Sequence, residues 1–290
     1  MKGIILSGGL GTRLHPITFT TSKQLLPVFD KPMIYYPLST LIHAGVNELL
    51  IISTPEDLER YERLLGSGDD FGISIQYKIQ KNPSGLPNAI SIAKDFIANE
   101  SFWMILGDNL FHGPNFGREL TKIQSSKGAT VFAYHVQDPR SYGVINFRKD
   151  TEEIERIEEK PLNPSSNWII PGLYHFDSSA VFRSNKLAVS KRGEFEIIDL
   201  LNLYLEDSML EVKKVSRGNA WFDLGTPVSI MNAGNFVKTI QETQGLMIGS
   251  PEEAALHAGF LEFNDLINRL EPKRSSTYYS FLLNSLIRIN

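Results

Sequence analysis

Three glycines crowd Gly8-Gly9-Leu10-Gly11-Thr12-Arg13, directly after the apolar run Lys2–Ser7, and a second cation follows in Ser22-Lys23-Gln24-Leu25-Leu26-Pro27. Backbone N–H groups relieved of side chains can approach phosphate oxygens closely, and two cations nearby complete what a triphosphate needs. The glycines alone also fit a tight turn without a ligand; Arg13 and Lys23 tilt the reading toward phosphate. A Walker loop is excluded because its Gly-Lys-Ser/Thr ending is missing. A dinucleotide fingerprint fits poorly: Leu14 occupies the place of the third glycine, and no acid ends the second strand, which closes in Ile52-Ser53-Thr54. A nicotinamide oxidoreductase is therefore a distant alternative.

Two aspartates also lie beside glycines, Asp108 in Leu106-Gly107-Asp108-Asn109 and Asp223 in Trp221-Phe222-Asp223-Leu224-Gly225-Thr226. Either alone fits a turn or a helix cap. Next to a phosphate site, two hard oxygen ligands suit Mg²⁺, which takes carboxylates, waters and substrate phosphates. A charged stretch, Glu152 to Lys160, ends in Glu159-Lys160-Pro161; as a pattern it fits a solvated strand edge as well as a binding site, and Tyr142 fits core packing as well as a pocket.

These groups need a scaffold at whose loop edge they can meet. Strand-like runs at Lys2–Ser7, Glu48–Ser53, Ile73–Ile79, Phe102–Leu106 and Ala129–Val136 alternate with helical patterns at Met33–Ala44, Asp57–Leu65, Asn88–Ile97 and Phe116–Gln124. That rhythm predicts parallel βαβ units and a doubly wound sheet, with ligands at the carboxyl ends of its strands. From about residue 140 the pattern turns mixed. Strands are expected at Tyr142–Phe147, Ile154–Glu158 and Trp168–Phe176, and helices at Ser178–Val189 and Glu196–Leu205. Pro227–Thr243 has apolar residues at helical spacing, and 245–290 reads as helical. The expected architecture is α/β: a Rossmann-like, mixed, mostly parallel sheet flanked by helices, with an antiparallel part and a helical C-terminal extension. The expected division is 1–240, changing in character between about 1–135 and 136–226, then 241–290.

Composition bounds the function. The chain has 290 residues, 42% hydrophobic and 21% charged, with 22 Gly, 15 Pro and no Cys. It can bury a large core, and disulfides, thiol catalysis and Cys-based metal sites are excluded. No apolar run reaches the roughly 20 residues of a membrane span, and no signal peptide is visible, so a cytoplasmic protein is expected. The net charge of −4 argues against nucleic acid. Residues 1–31 carry four bases against one acid, +3, which leaves −7 for the remainder. A basic segment on an acidic chain suits a local anion site.

LSGGLGTRLHP and SKQLLPVFDKPMIYYPLSTLIHAG resemble the signature of the sugar-1-phosphate nucleotidyltransferases, most specifically the thymidylyltransferases acting on glucose 1-phosphate. YKIQKNPSGL, LGDNLF, GATVFAYHVQDP, IEEKPLNPSSN, GLYHFD, RGEFEI, WFDLGT and QGLMIGSPEEAA match further blocks in the family's order, across nearly the whole chain. The resemblance implies transfer of a nucleotidyl group from dTTP to glucose 1-phosphate, at the head of dTDP-rhamnose and deoxysugar synthesis. It implies that Asp108 and Asp223 hold a catalytic Mg²⁺ and that Arg13 and Lys23 stabilise the triphosphate and departing pyrophosphate. Gly8, Gly11 and Thr12 would give backbone contacts, Gln80 would read the base, Gly85 would let the backbone approach it, and Gln24 would lie beside the nucleotide. Tyr142, Gly143 and Gly172 would line the sugar pocket, Glu159 would bind sugar hydroxyls, and Lys160 and Arg192 the sugar phosphate. A homotetramer and feedback inhibition by a downstream dTDP-sugar at a second site are implied as well. The chain departs from the family at Pro87-Asn88, Pro171, Ile198 and Leu224. A UTP-using enzyme or one for another hexose 1-phosphate is thus the alternative, and a non-catalytic homologue is an alternative of another class.

Overall fold

The computed structural model describes residues 1–123, 127–149 and 151–289; Gln124 and Asn290, which end two of the expected helical stretches, lie outside them. The strands are β1 (Lys2–Ser7), β2 (Pro27–Val28), β3 (Lys31–Pro32), β4 (Glu48–Ser53), β5 (Ser74–Ile79), β6 (Phe102–Leu106) and β7 (Asn109–His112). They continue as β8 (Ala129–His135), β9 (Gly143–Phe147), β10 (Ile154–Glu159), β11 (Trp168–Ile170), β12 (Leu173–Phe176), β13 (Leu210–Lys214) and β14 (Ala220–Asp223). The helices are α1 (Tyr35–His43), α2 (Leu58–Leu65), α3 (Leu86–Ile92), α4 (Lys94–Ile97), α5 (Phe116–Thr121) and α6 (Ser179–Ser184). α7 (Ile197–Glu206), α8 (Pro227–Gln244), α9 (Pro251–His257), α10 (Phe263–Leu270) and α11 (Thr277–Ile289) follow.

One sheet runs in the order β10-β9-β11-β8-β12-β6-β1-β4-β5, with β13 on the free edge of β8. β1 pairs in parallel with β4 and β6, and β4 with β5. β12 joins β6 antiparallel, so the expected parallel sheet passes into the expected antiparallel region at that seam. Successive side chains of a strand point to opposite faces. Ile5, Leu49, Ile51, Trp103 and Ile105 accordingly pack under α1 and the C-terminal helices α9–α11. Ile4, Leu50, Ile52, Phe102 and Met104 pack under α3, α4 and α7. Covered on both faces, these strands read as apolar runs such as the LLII of Leu49–Ile52.

Several elements differ from the sequence expectation. Trp168–Phe176 is two strands. Both lie along the same edge of β8, but the pairing shifts by two residues at Pro171-Gly172. On the other side β11 meets β9 while β12 meets β6, so a gap opens where those neighbours part. Asn88–Ile97 is α3 and α4, bent at Ala93, and α3 begins earlier because Gly85 ends the preceding extended chain and Pro87 suits a first helical turn. The helix expected over 178–189 stops at Ser184; Phe182 and Val189 are exposed, so the apolar spacing has no surface to bury against. α8 forms as expected, opened by a Thr226–Ser229 capping box and closed by left-handed Gly245. It buries only Ala233, Val237 and Gln241, and leaves Val228 and Met231 exposed. The short strands β2, β3, β7, β13 and β14 have no counterpart in the sequence reading. Among the described residues, no helix is long and apolar enough to cross a membrane.

Candidate active site

A cavity of about 540 Å³ opens beyond the carboxyl ends of β1 and β6, lined in part by Leu106, Asn109, Ser141 and Trp221. Nine of the residues singled out from sequence also line it: Arg13, Asp108, Tyr142, Gly143, Glu159, Lys160, Gly172, Arg192 and Asp223. The sequence separates Asp108 and Asp223 by more than a hundred positions. What joins them is the small antiparallel pair β7–β14, which sets Asp223 opposite Asn109. The Leu224 N–H donates to the Asp108 carbonyl at 2.9 Å and closes the junction.

The electrostatics of this end are tense. The Lys23 ammonium donates to Asp108 Oδ2, and Asn109 Nδ2 donates to Asp108 Oδ1 at 3.0 Å. Asp223 has its pKa raised, first by burial and then by the Asp108 charge, against the opposing pull of Lys23 and Arg13. A Cβ on Gly225 would stand 2.8 Å from Arg13 Nη2 and 3.0 Å from Asp223 Oδ1, so glycine there lets the guanidinium lie against the chain. Among the described residues no group of three or more His, Asp or Glu side chains gathers into a complete metal cage. Two carboxylates in the lining of this cavity fit a cation that takes its remaining ligands from water and substrate.

At the other end Glu159 is the hub. Its Oε1 accepts from Lys160 Nζ at 3.1 Å and from Arg192 Nη1 at 3.0 Å. Lys160 has φ +43°, a left-handed conformation costly for a residue with a Cβ, and its N–H donates to the Tyr142 carbonyl at 3.0 Å. The chain is thus turned sharply where Lys160 joins the cavity lining. Gly143 lies under Ile198, whose Cδ1 would be 2.5 Å from a Cβ at that position. Gly172 donates its N–H to Asn109 Oδ1 at 3.1 Å, and a Cβ there would collide with Leu106. The same Asn109 oxygen accepts from Trp221 Nε1 at 2.6 Å, and the Trp221 ring meets Tyr142 edge-on with centroids 5.3 Å apart.

The residues expected at the nucleotide lie beside this cavity. Gly11 has φ +61° and precedes a tight turn that begins at Thr12; Thr18 Oγ1 braces its carbonyl at 2.8 Å. A Cβ on Gly11 would be 3.5 Å from Lys23 Cβ, so the loop abuts the Lys23–Asp108 pair. Gly8 faces Gln80, whose Oε1 would be 2.9 Å from a Cβ there. Gln80 is buried and donates to Asn88 Oδ1 at 2.9 Å and to the Gly85 carbonyl at 3.4 Å. Gly85 has φ +100°, and a Cβ would fall 2.1 Å from the Phe195 carbonyl oxygen. Gln24 is buried against Gly107 and bonded to Ser22 and Tyr61.

Sequence reasoning overlooked Asn109, Ser22, Tyr61 and Arg140, which also lines the cavity. Asn109 and Trp221 sit inside LGDNLF and WFDLGT, so their place beside the aspartates was the available signal; Tyr61 and Arg140 carried none.

Residues 2–240 match the nucleotidyl transferase family. The glucose-1-phosphate thymidylyltransferase of Mycolicibacterium smegmatis is 46% identical over 288 residues, covering 99% of this chain and all of that one. The chain belongs to the glucose-1-phosphate thymidylyltransferase family. The enzyme of that name from Neisseria gonorrhoeae is 48% identical over 284 residues, 98% of each chain. A Bacillus anthracis structure assigned to the same activity, in complex with sucrose, superposes with a TM-score of 0.75 at 38% identity, covering 81% of this chain and 94% of that one. UDP-glucose pyrophosphorylase bound to UDP-glucose shares the fold at 24% identity and a TM-score of 0.71.

Proposed function

We propose that this protein joins dTTP and α-D-glucose 1-phosphate to give dTDP-glucose and pyrophosphate, in the cytoplasm and ahead of deoxysugar synthesis of the dTDP-rhamnose type. The observation that carries the reading is the convergence, on one cavity, of Asp108, Asp223 and Arg13, with Lys23 paired to Asp108 behind them, and of the Glu159–Lys160–Arg192 cluster. One suits a triphosphate and the other a phosphorylated sugar.

The sugar phosphate oxygen attacks the α-phosphorus of dTTP, the bond to the β-phosphate oxygen breaks, and pyrophosphate leaves. The attacking oxyanion is already a competent nucleophile, so no side chain forms a covalent intermediate. The protein positions the two phosphates and neutralises charge. Arg13 and Lys23 take up the negative charge that grows on the leaving pyrophosphate, and this lowers the barrier because the interaction strengthens in the transition state. Asp108 and Asp223 would hold Mg²⁺, which when bound supplies a Lewis-acid charge to the α-phosphate. Glu159 accepts sugar hydroxyls, Lys160 and Arg192 bind the sugar phosphate, and Tyr142 and Gly172 wall the ring. The backbone of Gly8, Gly11 and Thr12 cradles the nucleotide phosphates while Gln80, Gly85 and Gln24 lie toward the base.

Feedback by a downstream dTDP-sugar and assembly as a homotetramer belong to the same reading. A second cavity of about 760 Å³, with Arg118, Glu253 and the neutral rings of His43, His112 and His257 in its wall, is the place such an effector would bind, with Arg118 as the cation for its phosphate. The exposed Val228 and Met231 on α8 and the nearby Phe29 support a subunit contact. Purified protein with Mg²⁺ is expected to release pyrophosphate fastest from dTTP with glucose 1-phosphate, to be inhibited by dTDP-rhamnose, and to scatter light as four chains. Faster turnover of UTP, or of another hexose 1-phosphate, would replace the substrate assignment.

A further inference from the structure

α2 contributes only Tyr61 and Leu65 to the interior. Tyr61 is fully buried, and its phenol oxygen ends 2.6 Å from Ser22 Oγ and 3.3 Å from Gln24 Oε1. Ser22 Oγ is itself 2.8 Å from that Gln24 oxygen, so two hydroxyl protons are shared within a closed triangle. Burial pushes the phenol's pKa up, which keeps it a hydroxyl throughout the working pH range. Packing alone would be served as well by Phe; a buried hydroxyl is tolerated because it is bonded.

The triangle lies on either side of Lys23. Ser22, Lys23 and Gln24 belong to one tight turn, closed by the Leu25 N–H donating to the Ser22 carbonyl at 3.1 Å. With the side chains at 22 and 24 both drawn toward Tyr61, Lys23 between them faces Asp108. Gln24 is also a wedge on the partner: its Cγ would be 2.9 Å from a Cβ on Gly107, the residue before Asp108. We propose that Tyr61 is a positioning residue, whose hydroxyl ties α2 to both halves of the Lys23–Asp108 pair and so fixes the pair for the departing pyrophosphate. The proposal rests on the catalytic reading of that pair given above.

Tyr61→Phe removes one oxygen and leaves the ring in place. Because the pair acts on charge that appears in the transition state, kcat is expected to fall about tenfold while KM for dTTP and for glucose 1-phosphate stays within about twofold. Ser22→Ala should show the same split; each single variant leaves one hydroxyl on Gln24 Oε1 and the double leaves none, so the double should lose more than the product of the two single losses. A variant that fails to fold leaves the decision to Ser22→Ala alone. Wild-type kcat in the folded variants, a loss confined to KM, or additive losses would overturn the proposal. An inactive wild type would remove the function and this inference together, whereas equal rates in an active enzyme would remove only the inference.

Discussion

At the scale of the residue, Asp223 shows how a site spends stability on charge. Its carboxyl is buried and faces Asp108, and both effects raise its pKa. A carboxylate whose folded pKa lies above its unfolded value costs stability while ionised, and the fold regains that stability as pH falls through the raised value. Asp223→Asn should therefore melt at the same temperature as the wild type or higher without ligand. Turnover should fall roughly a hundredfold, the scale of losing one preorganised charge at a reacting centre. Calorimetry and pyrophosphate release on one preparation check both; a variant that is less stable yet fully active would contradict the assignment. Gly85 is a different kind of residue-scale device, since its positive φ and the Phe195 carbonyl leave no room for a side chain.

At the scale of the element, β7 and β14 matter more than their length suggests. Four residues on each side bring Asp108 and Asp223 together, and the pair is fastened to the Pro171-Gly172 break ahead of β12 through Asn109, which accepts from both Trp221 Nε1 and the Gly172 N–H. Trp221→Phe keeps the ring contact with Tyr142 and deletes one of those two bonds. Asn109 retains its bond from Gly172, so the loss should be moderate: about a fivefold drop in kcat/KM for glucose 1-phosphate, with little change in melting temperature. Unaltered kinetics would show that the clamp does not set the aspartates. The sheet around it also explains why such short strands escape a pattern search. A four-residue strand with half-buried side chains has no periodicity to detect, and its partner strand lies more than a hundred residues away.

At the scale of the molecule, the C-terminal helices share one apolar core with the first strand. Met247, Ala254, Leu266, Tyr278 and Leu282 pack in the same cluster as Ile5 and Leu38. Deep burial of histidines then makes the whole fold acid-sensitive. His175 is 1% exposed, lies edge-on to Trp103, and neither ring nitrogen has a hydrogen-bond partner among the described residues; burial pulls its pKa down to about 4. His43, on α1, is likewise lowered to about 4 by burial and by His257. Both rings are neutral in the fold, while the unfolded chain takes up protons from about pH 6.5 downward. The stability they allow is present above that pH and drains as pH falls toward 4. Buried carboxyls such as Asp223 and Glu253, whose pKa values are raised, work in the opposite sense, so the test is the difference between two proteins: across this window the wild type should lose melting temperature relative to His175→Leu. A difference that stays constant between pH 7 and 4.5 would refute the account.

The residue pattern alone was enough for the parallel half of the sheet, because strands buried on both faces must be apolar throughout and their helices must carry an apolar stripe. It also carried the proximity of the glycine loop, Arg13 and Lys23, since neighbours in sequence cannot be far apart in space. The meeting of Asp108 with Asp223, and of Glu159 with Arg192, was decided by the tertiary structure. Such pairs are joined by long chain closures whose geometry depends on strand register and on breaks like Pro171-Gly172, and no local periodicity records either. The hydroxyl triangle beneath Lys23 lies in the same category: Tyr61 on its own helix reads as one more core aromatic until the turn at 22–24 is folded onto it.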